Sequence, residues 1–162
     1  MTDPLRSRRA AGAKAKGNGQ LFELLLQVNC RRAGVACTRI PDGCESTGGR
    51  GIRRVKTPWD FILSKNGRAA LIDTKTTAGK TFALSKIEAH QVDAMMLHAG
   101  QPSGLVAGYV IWFRSSLTVG FVPAQVLSAL MRERAQGSIA ANSACVWQMG
   151  SDQRIDFTPL FR

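Results

Sequence analysis

Two carboxylates and one amine stand out by type and spacing: Asp60, Asp73 and Lys75. Between the acids lie two apolar-rich runs, Trp59 to Ser64 and Ala69 to Lys75, joined by Lys65-Asn66-Gly67-Arg68. Asn-Gly between such runs predicts a tight β-hairpin, because both central turn residues need positive φ. The hairpin sets a register in which Phe61 faces Ile72 and Asp60 faces Asp73. Directly opposed like charges destabilise a strand pair. A divalent cation removes that cost, since Mg2+ takes hard oxygen ligands and commonly uses one or two carboxylates. Lys75 lies two residues after Asp73 and therefore on the same strand face. An ammonium there can steady charge developing on a phosphate. The set suits metal-assisted phosphodiester hydrolysis. The plainer alternative is a pair of strand-end acids balanced by Lys75 or arginines at the surface.

The elements that must position these groups fit within 162 residues, the size of one domain. At 44% hydrophobic the chain can bury a core. Its 22 Lys and Arg against 11 Asp and Glu leave a net charge of +11. That excess favours a polyanionic partner, nucleic acid before an acidic membrane surface, and argues against a cationic substrate. No apolar run approaches a membrane span, and no apolar signal core follows the basic start, so a reducing cytoplasm is expected. Cys30, Cys37, Cys44 and Cys145 then read as thiols, with spacings that match no zinc signature. His90 and His98 form no metal motif.

Residues 1–16 carry Arg6, Arg8, Arg9, Lys14 and Lys16 with no apolar period and read as a flexible basic arm that contacts phosphate. From Asn18 a helix is expected, with Leu21, Leu25 and Val28 as its stripe, Phe22 and Leu24 widening it, and Gly34 as its cap. Val35 to Ile40 reads as a strand. Residues 41–56 read as a basic, mobile loop bearing Arg50, Arg53, Arg54 and Lys56, charges of one sign that a DNA backbone would answer. Residues 76–80 read as a loop in which Lys80 is a further phosphate contact. A second helix follows over 87–99, then strands at 106–113 and 117–122, a helix at 123–134 with Pro at its start, and a short strand at 145–149. This order predicts an α/β or α+β domain around one mixed sheet.

Pro58-Trp59-Asp60, the hairpin and Asp73-Thr74-Lys75 resemble the core of the PD-(D/E)XK nucleases. Within them the chain most resembles the RecU-type Holliday junction resolvases, phage relatives included. Gly17 to Glu23 is similar to that family's opening Gly-x-x-Phe-Glu helix. Asp73 to Thr77 is similar to its Glu-Ala-Lys-Glu-Thr strand end, and Phe82 to Gln91 to its Phe-x-Leu-x-x-Ile-x-x-His-Gln segment. The similarity spans roughly residues 17–125.

The resemblance implies an α/β, restriction-endonuclease-like mixed sheet flanked by helices, with 17–162 as a single nuclease domain behind the arm. It implies Asp60 and Asp73 as ligands of Mg2+, or of Mn2+ in its place, helped by the Thr74 carbonyl. Lys75 is then the catalytic lysine, Glu23 lies near the metal from the first helix, and Gln91 supports the site from the second. The implied activity is Mg2+-dependent resolution of four-way DNA junctions by a homodimer, in a bacterial cell or encoded by a phage. Two departures stand. Asp73 replaces the family's longer Glu, and Thr57 lies three residues before Asp60 rather than two, so no role is carried to it. Alternative readings are an endonuclease acting on duplex or flap DNA and a non-catalytic DNA-binding module on a nuclease fold. From the residues alone, Trp59 is expected in the core and His90 as a packing or capping group.

Overall fold

The computed structural model describes residues 4–46, 52–55, 57–99, 105–133 and 137–161, and of 4–16, 44–46 and 52–55 it describes the backbone. Helix α1, Pro4–Arg32, starts earlier than the apolar period predicts. The basic segment expected as an arm is, from Pro4 onward, the first half of this helix. Proline suits a first helical turn, and the Ala, Arg and Lys that follow are strong helix formers. The helix ends where expected. Gly34 adopts φ +65, Val35 N–H donates to the Cys30 carbonyl at 2.9 Å, and Gly34 N–H reaches that of Arg31 at 3.4 Å. Only a residue that tolerates left-handed backbone closes a helix this way.

The buried stripe of α1 is one position out from the expected one. Phe22, Leu26, Asn29 and Cys30 are buried, while Leu21 and Leu24 are 46% and 58% exposed. Apolar residues at 21, 22, 24, 25, 26 and 28 support two adjacent stripes equally well. Packing selects between them, because Phe22 stacks on Trp112 with ring centroids 5.6 Å apart.

Strand β1 (Ala36–Arg39) follows, then β2 (Gly43–Ser46) and β3 (Ile52–Val55). The segment expected as a loop is therefore built on an antiparallel hairpin, with Glu45 opposite Arg53 and Cys44 opposite Arg54. Ile52 and Val55 supply the β-branched positions that favour extended backbone. Arg50 and Lys56 lie outside the described residues.

Strands β4 (Phe61–Lys65) and β5 (Arg68–Thr77) form the expected hairpin, with Asn66 at φ 52 and Gly67 at φ 76. Their ladder runs from Lys65↔Arg68 to Phe61↔Ile72, the register inferred from the turn. Strand β5 continues through Thr76 and Thr77, expected as loop, because both pair with the next sheet strand.

Strand β6 (Thr81–Ala83), a 3-10 turn (Leu84–Lys86) and α2 (Ala89–Ala99) then cross to β7 (Val106–Phe113). Strand β8 (Thr118–Pro123), α3 (Ala124–Glu133), β9 (Ser138–Ala140) and β10 (Trp147–Ser151) complete the chain, with a 3-10 turn at Thr158–Leu160. The last sheet strand thus lies two residues later than expected. The sheet is mixed, in the order β1-β4-β5-β7-β8-β10, and within it only β5 and β7 run parallel. A separate short pair joins β6 to β9.

Each sheet face has its own core. On one, Phe22, Leu26 and Cys30 of α1 and Phe157 and Leu160 of the C-terminal segment cover Phe61, Leu63, Ile72, Val110 and Trp112. On the other, Val92 and Met95 of α2 and Leu127 of α3 cover Leu71, Tyr109, Ile111 and Phe113. Gly108 lets β7 and β8 approach closely; a Cβ there would collide with the Val122 carbonyl oxygen. Among the described residues no helix is long and apolar enough to cross a membrane.

The stripe position on α1 is testable. Phe22→Ala removes a fully buried ring and is expected to cost about 3–5 kcal/mol, whereas Leu21→Ala and Leu24→Ala change stability by less than about 1 kcal/mol. Urea unfolding midpoints of the three variants check this.

Candidate active site

The β4–β5 ladder stops one residue short of Asp60. Asp60 N–H donates to the Ile72 carbonyl at 2.9 Å, and Ile40 N–H donates to the Asp60 carbonyl at 2.8 Å. Beyond this point a side chain takes over the work of the ladder. Asp60 Oδ2 accepts from Thr74 N–H at 2.8 Å and from the Thr74 hydroxyl at 2.7 Å. A strand residue's N–H and C=O point toward the same neighbour. The Thr74 carbonyl therefore also faces the Asp60 side, past the last ladder pair.

Asp73 lies on the α2 face of β5 and is only 2% exposed. Its Oδ2 is in an ion pair with Lys75 Nζ, and Gln91 Nε2 donates to its Oδ1 at 3.3 Å. Gln91 is itself 4% exposed, in the first turn of α2, and its Oε1 accepts from the Tyr109 hydroxyl at 2.9 Å. Tyr109 faces Asp73 across the parallel β5–β7 pair, and its ring underlies Lys75 Nζ at 4.9 Å from the centroid. Five side chains from three elements and one strand end thus converge: Asp60, Asp73, Lys75, Gln91 and Tyr109.

Burial pushes the Asp73 carboxyl up to about 7, with the Asp60 charge adding to the rise; Lys75 opposes it, as does the Gln91 amide. Burial and the Asp73 carboxylate likewise push the Tyr109 phenol up. A carboxylate this costly to ionise gains from a cation placed beside it. The oxygens present fit a small hard cation. Asp60 keeps one carboxylate oxygen free of Thr74, Asp73 has one that meets only Lys75, and the Thr74 carbonyl is aimed between β4 and β5. Waters and a substrate phosphate would complete such a shell. Among the described residues no cluster of three His, Cys, Asp or Glu side chains that could hold a metal exists.

Of the site residues expected from sequence, Asp60, Asp73, Thr74, Lys75 and Gln91 come together. Glu23 reaches the same end of the sheet, but its Oε2 is engaged by Arg39 Nε at 3.1 Å, and Arg39 pairs with Phe61 beside Asp60. Lys80 is exposed at the far end of β5. Arg6, Arg8, Arg9, Lys14 and Lys16 lie along the first half of α1, and Arg53 and Arg54 on β3. Trp59 packs against the α2-side core, edge-on to His98 at 5.2 Å. His90 is neither packed nor capping: its side chain is 65% exposed, with Nε2 3.3 Å from Glu88 Oε2. The thiols of Cys30, Cys37 and Cys145 are free. Sequence reasoning missed Tyr109. Its signal is present, because it is the chain's single tyrosine and the one hydroxyl in an otherwise apolar strand.

Comparison with known proteins adds the fold. No family model matches the chain, and no curated protein does. Among solved structures it is similar to Hjc, a Holliday junction resolvase from the archaeal hyperthermophile Archaeoglobus fulgidus. The TM-score is 0.54 at 20% identity, covering 80% of this chain and 95% of that one. The chain thus has the fold of that resolvase: a mixed sheet flanked by helices.

The raised Asp73 carboxyl makes stability depend on pH in a definite direction. An acid whose folded pKa lies above its ordinary 3.8 destabilises the metal-free fold as pH rises from about 4 through about 7. Asp73→Asn removes that dependence. Relative to the unmodified chain in EDTA, the variant is expected to be about 1–4 kcal/mol more stable at pH 8 than its difference at pH 4 would give, as read from urea midpoints across that range.

Proposed function

We propose that this chain is a divalent-metal-dependent DNA endonuclease that resolves four-way junctions by paired phosphodiester cleavage. The observation that carries this reading is the convergence of Asp60, Asp73 and Lys75 where the β4–β5 ladder ends, on a fold shared with a resolvase. The sequence resemblance to RecU-type resolvases points to the same substrate. Asp60, Asp73 and the Thr74 carbonyl would hold the Mg2+, with Mn2+ able to replace it. When bound, the ion supplies Lewis acidity toward the scissile phosphate and toward the attacking water.

The chain's own groups do the rest. Lys75 Nζ, fixed between the Asp73 carboxylate and the Tyr109 ring, presents its charge where the phosphoryl oxygens become more negative. Gln91 orients Asp73, and Thr74 orients Asp60. Glu23 sets the Arg39 guanidinium beside the strand that carries Asp60. The net +11 holds the DNA. The basic first half of α1, the β2–β3 hairpin with Arg53 and Arg54, its flanking Arg50 and Lys56, and Lys80 are the assigned backbone contacts. Symmetric cuts on opposing strands call for two sites related by a two-fold axis, so the working form is a homodimer.

The test is cleavage of a synthetic four-way junction in Mg2+, with products mapped on all four strands. The unmodified chain is expected to give paired, symmetric nicks. Asp73→Asn is expected to abolish them, and Lys75→Ala to slow them about 10²–10³-fold. Undiminished cleavage by both variants would overturn the assigned site. Equal affinity for a junction and for a linear duplex of the same length, at moderate salt, would favour an endonuclease of duplex or flap DNA. No Mg2+ or Mn2+ binding by calorimetry, even with DNA present, would favour a non-catalytic DNA-binding module.

A further inference from the structure

Tyr109 is fully buried, bears the chain's single phenol, and performs no chemistry in the reading above. Buried hydroxyls need partners, and the partner here defines a direction. The phenol has one proton, and Gln91 Oε1 accepts it at 2.9 Å. A primary amide is symmetric in shape but not in chemistry: one end accepts, the other donates. With Oε1 held by Tyr109, Gln91 must turn Nε2 toward Asp73, where it donates to Oδ1 at 3.3 Å. If the amide turned over, its oxygen would face the Asp73 carboxylate, and neither could donate to the other.

We infer that Tyr109 is a positioning residue of the catalytic site. Its hydroxyl passes hydrogen-bond direction from β7 through Gln91 to Asp73, and so holds Asp73 ready to bind the divalent ion. The same ring lies under Lys75 Nζ, 4.9 Å from its centroid. One residue of β7 therefore aligns two functional groups of β5, its parallel neighbour. This inference rests on the metal-site reading proposed above, but the hydrogen-bond chain belongs to the metal-free protein and can be examined without cleavage.

The experiment compares Tyr109→Phe, Gln91→Met and the double variant with the unmodified full-length chain. Phenylalanine keeps the ring, its packing and its contact with Lys75, and removes only the hydroxyl. In 15N spectra of the metal-free protein, the Gln91 side-chain amide is assigned by its loss in Gln91→Met. It is expected to be protected from solvent exchange in the unmodified chain. In Tyr109→Phe it is expected to shift and to exchange at least tenfold faster. The Mn2+ dissociation constant from calorimetry is expected to rise about tenfold in Tyr109→Phe and in Gln91→Met, with no further rise in the double variant. Thermal unfolding of each variant identifies any that fails to fold. Should Tyr109→Phe not fold, Gln91→Met alone decides: an unchanged Mn2+ dissociation constant overturns the proposal. An unmoved Gln91 amide, or additive effects on Mn2+ affinity, overturns it as well. An intact chain and a shifted amide in a protein that never cuts a junction would sustain the positioning role and overturn the nuclease reading.

Discussion

Everything near the site depends on holding the Asp73 carboxylate in a place that strips away its water. Burial raises the cost of the charge more than any neighbour does. Lys75 answers one oxygen and Gln91 the other. The fold accepts this cost because the same position is flanked by Asp60 and by the end of a ladder. A group that is expensive to ionise in the metal-free protein is one whose ionisation a bound cation can favour. In the metal-free protein, ionising that single residue costs stability.

The second constraint is geometric. Asp60 lies where β4 can no longer pair regularly with β5, and its carboxylate substitutes for a backbone acceptor by taking the Thr74 N–H. This keeps the two strands together past the last ladder pair. The acid thereby has a structural duty that a surface acid would not have. The apolar cores under α1 and α2 cover the two faces of the sheet around it.

Much of this was legible in the residues. Asn66-Gly67 dictated the hairpin and its register, and hence the approach of Asp60 to Asp73. The spacing of Lys75 put it on the Asp73 face. What was hidden depended on tertiary choices. The apolar residues of α1 support two stripes, and only the stacking of Phe22 on Trp112 selects one. The alternation over 52–55 is short and interrupted by arginines, so hairpin β2–β3 was hidden by its charge. Tyr109 looked like one more core residue of a buried strand, because its partner Gln91 is distant in sequence and close only in the fold. Glu23's partner Arg39 lies on an exposed strand, and nothing in the sequence pairs the two.

The lone parallel pair in the sheet also governs the order in which the site can be built. Hairpin β4–β5 is local and can close within microseconds. Strand β7 cannot join β5 until the intervening crossover, α2 included, has been laid over the sheet, since parallel neighbours need a long connection. Closing that loop is the slower, less local step. Asp60 and Asp73 thus meet early, as two carboxylates still in water, and are tolerable to the chain at that stage. Only when α2 and β7 dock does water leave Asp73, in the same event that delivers Gln91 and Tyr109 to it. The elements that bury the charge are thus the same ones that carry the groups answering it.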